Sequence, residues 1–129
     1  MIRNIWRHKN LKESFTGAFR GMVSVIMNER YTKIVCFYAI LVILLALALK
    51  VSLAEIAILI TAITVVMIAE IFNAIAENIM NMVKPYKDPQ VKRLKDAAAG
   101  MVLLASISAA AAGGLIFLPK IILILKQLS

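Results

Sequence analysis

Glu70, Asn73, Glu77 and Asn81 recur at helical spacing inside an otherwise apolar stretch. At ~100° per residue, positions i, i+3, i+7 and i+11 share one face of a helix. A carboxylate on such a stripe can take a proton from an alcohol. Two carboxylates also supply the hard oxygen ligands that Mg²⁺ takes, in company with substrate phosphates. The plain alternative is a helix end that simply stands in water. Against it, Ile68, Ala69, Ile71, Phe72, Ala74, Ile75, Ala76, Ile79 and Met80 surround the stripe. Such a polar face belongs in a protein cleft, and an ionisable group at membrane depth marks a functional site.

Three further residues have suitable chemistry. Glu29 ends an N-terminal segment, and Lys95 and Asp96 adjoin at the start of a later one. Each has a bland account on its own: Glu29 pairs with Arg30 or Lys33, and Lys95 snorkels to lipid headgroups. Taken together with the stripe, they place carboxylates, a carboxamide and a lysine at one membrane face. A lysine offers phosphate a point charge. Positioning, charge neutralisation and a base are what phosphoryl transfer requires. No Gly-rich phosphate loop or Walker lysine is present. Cys36, the single cysteine, lies in an apolar run, and His8, the single histidine, lies in a charged stretch. Neither has metal-ligand spacing or a nucleophile partner.

The elements that must carry these residues are membrane helices. Of 129 residues, 62% are apolar and 17% charged, and the mean hydropathy is +0.88. A soluble domain lies nearer ~45–50% apolar and ~25% charged. The net charge of +8 sits between apolar runs, with no basic stripe and interleaved aromatics, so a nucleic-acid partner is not expected. Arg3, Arg7, Lys9 and Lys12 open the chain without an apolar core between them, so no cleavable signal peptide is expected.

One domain over residues 1–129 accommodates an all-α membrane protein. Residues 11–29 space Leu11, Phe15, Phe19, Met22, Val25 and Ile26 as an amphipathic surface helix. Gly17 and Gly21 would let another helix approach. Membrane helices are expected at about 34–49, 53–83 and 91–118. The second exceeds a ~30 Å hydrocarbon core, so its polar C-terminal end should project. Pro85 and Pro89 break the chain before the third helix, Ala97 to Gly100 offer small residues for packing, Gly113 and Gly114 form a flexible point, and Pro119 stops the helix. Seven Lys and Arg precede Ile34, five lie in 84–95, and three remain at Lys50, Lys120 and Lys126. That asymmetry puts the N-terminus and the 84–95 loop in the cytoplasm.

From residues alone the reading is a membrane protein with an acidic cytoplasmic cleft. A small proton-coupled transporter using Glu70 or Glu77 and a non-catalytic scaffold stay open beside a kinase.

From Glu70 to Gly100 the chain resembles the prokaryotic diacylglycerol kinase and undecaprenol kinase family. Glu70, Asn73 and Glu77 match its E-x-x-N-x-x-x-E motif. Pro85 and Pro89 follow in a loop, then Lys95-Asp96 and the run Ala97-Ala98-Ala99-Gly100, with no gap between Glu77 and Lys95. Ala18-Phe19-Arg20-Gly21 and Asn28-Glu29 resemble the family's N-terminal segment, and the likeness spans about residues 11–119. It implies a homotrimer in the cell membrane with shared cytoplasmic sites, which phosphorylates diacylglycerol or undecaprenol from ATP with Mg²⁺. Glu70 would be the general base. Glu29 and Glu77 would hold metal and, with Asn73, Lys95 and Asp96, bind nucleotide. The loop and the Ala-rich run look more like the undecaprenol branch. Two departures stand out: Asn81 where the family usually has aspartate, and Asp88 where it often has histidine.

Overall fold

The computed structural model describes residues 10–129; Arg3, Arg7, His8 and Lys9 lie outside the described residues. Among the described residues four helices follow in order: α1 (Leu11–Asn28), α2 (Arg30–Ala48), α3 (Leu53–Val83) and α4 (Pro89–Leu128). No strand occurs among the described residues. α2, α3 and α4 are each long and apolar enough to cross a membrane. Most large apolar side chains, from Phe37 and Leu44 to Leu104 and Leu115, are exposed on the single chain. In water that surface would be costly; in lipid it is solvated.

Local chemistry defines each helix end. Asn10 caps α1 by accepting from the Glu13 N–H at 2.8 Å. α1 and α2 are separated by one extended residue, Glu29. Thr32, 1% exposed, secures this corner: its hydroxyl is placed to donate to the carbonyls of Ile26 at 3.1 Å and Glu29 at 2.9 Å. The break at Glu29 interrupts the ladder there, and the hydroxyl supplies a donor the backbone no longer provides. α2 therefore begins at Arg30 rather than near Ile34.

Lys50 adopts a left-handed φ of 54° just past the end of α2. Its N–H donates to the Leu47 carbonyl, and the Val51 N–H to the Ala46 carbonyl at 3.2 Å. This is a Schellman closure, with Val51 packed back onto Ala46. Ser52 and Glu55 then open α3 with a reciprocal capping box. Ala46, Val51, Leu59 and Ile116 form the buried cluster at this end. Inside α3, Thr61 and Thr64 donate to the carbonyls of Ala57 and Ile60, so neither hydroxyl is left unpaired in lipid.

Two expectations for α4 are corrected. Pro89 does not break a helix but begins one: Asp88 caps α4 by accepting from the N–H groups of Gln90 and Val91, and proline at the first position forfeits a donor that would be unpaired anyway. Pro119 does not stop the helix, which continues to Leu128. Glu55 bridges to Lys120 at 3.3 Å, so the residue after the proline is tied to α3. A missing N–H costs less where a neighbouring helix holds the segment in place. Gly113 and Gly114 also lie within unbroken helix.

α3 and α4 form the main antiparallel pair. Glu55–Lys120 ties one end and Asn81–Lys95 ties the other at 2.7 Å. These ties are 26 residues apart on α3 and 25 on α4, so the helices keep register over ~39 Å at ~1.5 Å per residue. Buried Ala69 and Ala74 on α3, and Ala98 and Ala105 on α4, leave little side chain between the backbones. Of the run Ala97 to Gly100 only Ala98 is buried. A Cβ placed at Gly21 or Gly100 would meet nothing within 4 Å, so no other helix among the described residues approaches at those points.

Candidate active site at the loop end of the bundle

The 84–88 loop joins α3 to α4 and is closed by Asp88. Its carboxylate caps α4 and also accepts from Lys84 Nζ at 3.1 Å. The lysine beside it, followed by the Gln90 N–H, holds the Asp88 carboxyl below the usual carboxylate range. A histidine at this position could not serve both donors in this way. Asp88 is therefore accounted for by helix capping. Asp followed by Pro before a helical run is a readable start signal.

Behind this loop lies a cleft of about 760 Å³, lined by Asn81, Lys84, Tyr86, Lys87, Lys92 and Lys95 among others. Asp96 reaches its wall but pairs with Lys92 at 2.9 Å along the exposed face of α4. Lys95 is half-buried and donates to Asn81 Oδ1 from across the helix pair. The structure thus joins Lys95 to the end of the α3 stripe through Asn81, a contact that spacing alone does not single out, while Asp96 stays on the α4 side with Lys92.

The rest of the stripe runs from the cleft toward the apolar interior. Glu77 precedes Asn81 by one turn, ~6 Å along the axis, and Glu70 by ~16 Å. In the observed register Ala98 lies level with Glu77 and Ala105 level with Glu70. Both alanines are buried, so α4 brings no cation to either carboxylate. Glu70 and Asn73 are half-buried and Glu77 is exposed. None of their side chains has a hydrogen-bond or ion-pair partner among the described residues. Glu29 is half-buried at the α1–α2 corner. The pairing with Arg30 or Lys33 that would make it a surface charge does not occur: the ion pairs among the described residues are Lys84–Asp88, Lys92–Asp96 and Lys120–Glu55. No group of three or more metal-ligating side chains gathers among the described residues.

Thr32, Asn81 as the partner of Lys95, and the Glu55–Lys120 bridge emerge only in the structure. Thr32 and the bridge carry no local signature, because their partners are set by where the chain turns. The capping box at Ser52-Leu53-Ala54-Glu55 is by contrast legible in the sequence.

The sequence model of the prokaryotic diacylglycerol kinase family matches residues 16–117, a stretch holding all the candidate residues. The chain is also similar to the diacylglycerol kinase of Synechocystis sp. (strain ATCC 27184 / PCC 6803 / Kazusa), with 31% identity over 122 residues. That alignment covers 93% of this chain and 70% of the relative. No solved structure matches. With its three membrane-length helices, the chain is a multi-pass lipid kinase that belongs to the prokaryotic diacylglycerol kinase family.

Proposed function

We propose that the chain transfers the γ-phosphoryl group of ATP to the primary hydroxyl of a membrane lipid alcohol at the cytoplasmic face. The observation that carries this reading is the Asn81–Lys95 hydrogen bond. It joins a lysine-rich cleft, suited to a polyphosphate, to a carboxylate stripe that runs into the lipid-facing part of α3. Glu70 lies deepest in the stripe, at the level a lipid hydroxyl can reach. Its carboxylate takes the hydroxyl proton as the oxygen bonds to the γ-phosphorus, and the bond to the β-phosphate oxygen breaks to leave ADP.

Asn73, Lys95 and Asp96 contact the nucleotide, with Lys95 directing positive charge to its phosphates. Glu29 and Glu77 are carboxylates without a cationic partner among the described residues. As hard oxygen donors they suit Mg²⁺, which completes its shell with phosphate oxygens and water. Bound there, Mg²⁺ would neutralise phosphate charge.

The exposed apolar residues of α1, Leu11, Phe15, Phe19 and Met22, suit a helix resting on the membrane surface. Family resemblance supports a homotrimer with shared sites. Mixing inactive Glu70→Gln and Lys95→Leu proteins tests it, since complementary defects on different protomers restore activity. Diacylglycerol and undecaprenol present the same primary hydroxyl on an apolar body. The deciding assay supplies purified protein with radiolabelled ATP, Mg²⁺ and each lipid in micelles. Labelled lipid phosphate from either supports the reading, and no transfer to either removes it.

A further inference from the structure

We infer that Asn81 and Lys95 form one anion-binding unit, in which Asn81 holds the lysine without cancelling its charge and offers a second donor to phosphate. This rests on the nucleotide reading of the cleft and adds a residue to it. Four lysines line the cleft, against two aspartates. Lys84 is neutralised by Asp88 at 3.1 Å, and Lys92 by Asp96 at 2.9 Å. Lys87 and Lys95 have no counter-charge, because neither forms an ion pair with a described residue.

These two differ in how they are held. Lys87 is exposed in the loop and has no hydrogen-bond partner among the described residues. Lys95 is half-buried on α4 and is fixed by a 2.7 Å bond from the opposite helix. Of the four lysines, Lys95 alone is both immobilised and uncompensated. A preplaced cation gives more to binding, because less side-chain entropy is lost when the anion arrives.

The identity of residue 81 creates that combination. Lysine carries donors only, so the amide must turn its oxygen toward Nζ. The Nδ2 group of Asn81 is then left with two N–H donors that have no partner among the described residues. A lysine ammonium and a carboxamide N–H₂ beside one another make a donor pair for phosphate oxygens. An aspartate in the same place would accept from Lys95 equally well. It would also cancel the charge and present a carboxylate to the phosphate instead of donors.

The experiment compares KM for ATP and kcat in purified protein carrying Asn81→Asp, Asn81→Leu, Asn81→Ser or Lys95→Met. Charge-assisted hydrogen bonds are roughly twice as strong as neutral ones. Asn81→Asp should therefore raise KM for ATP about tenfold or more, with kcat within about twofold of wild type. Asn81→Leu should raise KM as well, and Asn81→Ser, which keeps an acceptor and a donor without charge, should recover part of the affinity. Inhibition by inorganic tripolyphosphate should weaken in the same order, a change that a merely structural defect would not produce. Unchanged KM in Asn81→Asp, or a loss confined to kcat, overturns the role of Asn81. Unchanged KM in Lys95→Met removes the nucleotide reading of the cleft itself, so the two failures are separable.

Discussion

Glu70, like Glu29 and Glu77, differs from the lysine-paired acids of the chain in what surrounds it. Glu55, Asp88 and Asp96 each meet a lysine, whereas Glu70 is half-buried with no partner among the described residues. A carboxylate kept clear of cations is available to accept a proton. Replacing Glu70 by Gln preserves shape and removes that capacity. Turnover should fall by ~10²–10⁴-fold, the usual contribution of a general base, while the purified protein keeps its melting temperature. Near wild-type turnover would remove Glu70 from the role. Glu29→Gln and Glu77→Gln each subtract one hard anionic ligand. Both should shift the Mg²⁺ titration to higher concentration or abolish activity altogether. An unchanged titration in both variants would leave the metal site without ligands.

At the scale of the elements, the α1–α2 corner and the α3–α4 loop decide where the candidate residues Glu29 and Lys95 sit. The corner depends on one buried hydroxyl. Thr32→Val keeps the volume of the side chain and takes the hydroxyl donor from the Ile26 carbonyl, whereas the Glu29 carbonyl still accepts from the Lys33 N–H. A buried group left unsatisfied costs about 1–3 kcal/mol, which should appear as a lower unfolding midpoint. Because Glu29 is the corner residue, the same variant should need more Mg²⁺; a variant indistinguishable from wild type in both respects would show that the corner holds without Thr32.

The loop depends on Asp88, whose carboxyl is held below its ordinary range by Lys84 and by the N–H of Gln90. A carboxylate depressed in the folded state contributes stability that is fully present above its unfolded value. That contribution is lost as pH falls through the lower, folded value. Wild type should therefore melt above Asp88→Asn at neutral pH, and the gap should close only in strong acid. A gap independent of pH would mean that the charge of Asp88 adds nothing to its cap.

The whole molecule must place the cleft where ATP is. The split of Lys and Arg, twelve before Ile34 and within 84–95 against three elsewhere, predicts that the 84–95 loop faces inward. In a Cys36→Ala background, a cysteine at Gln127 should react with an impermeant reagent on right-side-out cells, and one at Gln90 should not. The reverse pattern would invert the topology and separate the cleft from cytoplasmic ATP. The two α3–α4 ties ~39 Å apart make this prediction sharp. They keep Lys95 at the end opposite Lys120, so the two ends of α4 cannot share a face of the membrane.

Much of this architecture follows from local sequence. Long apolar runs permit only helices in lipid, because the backbone must satisfy its own hydrogen bonds there. The stripe Glu70, Asn73, Glu77 and Asn81 follows from helical periodicity alone. The bounds 53–83 are readable for the same reason, since Ser52 and the Pro85 loop flank an uninterrupted pattern. Helix α4 was less legible. Pro89 and Pro119 are the same residue type, yet one starts the helix and the other lies inside it. The first is settled by Asp88 just before it, a local cap. The second lies where Lys120, the next residue, meets Glu55, 65 positions before it in sequence. Asn81 and Lys95 likewise meet only after the chain has turned through 84–88 and the helices have packed in register. Which charges are cancelled and which are left for an anion depends on distances between helices, and only the tertiary structure sets those.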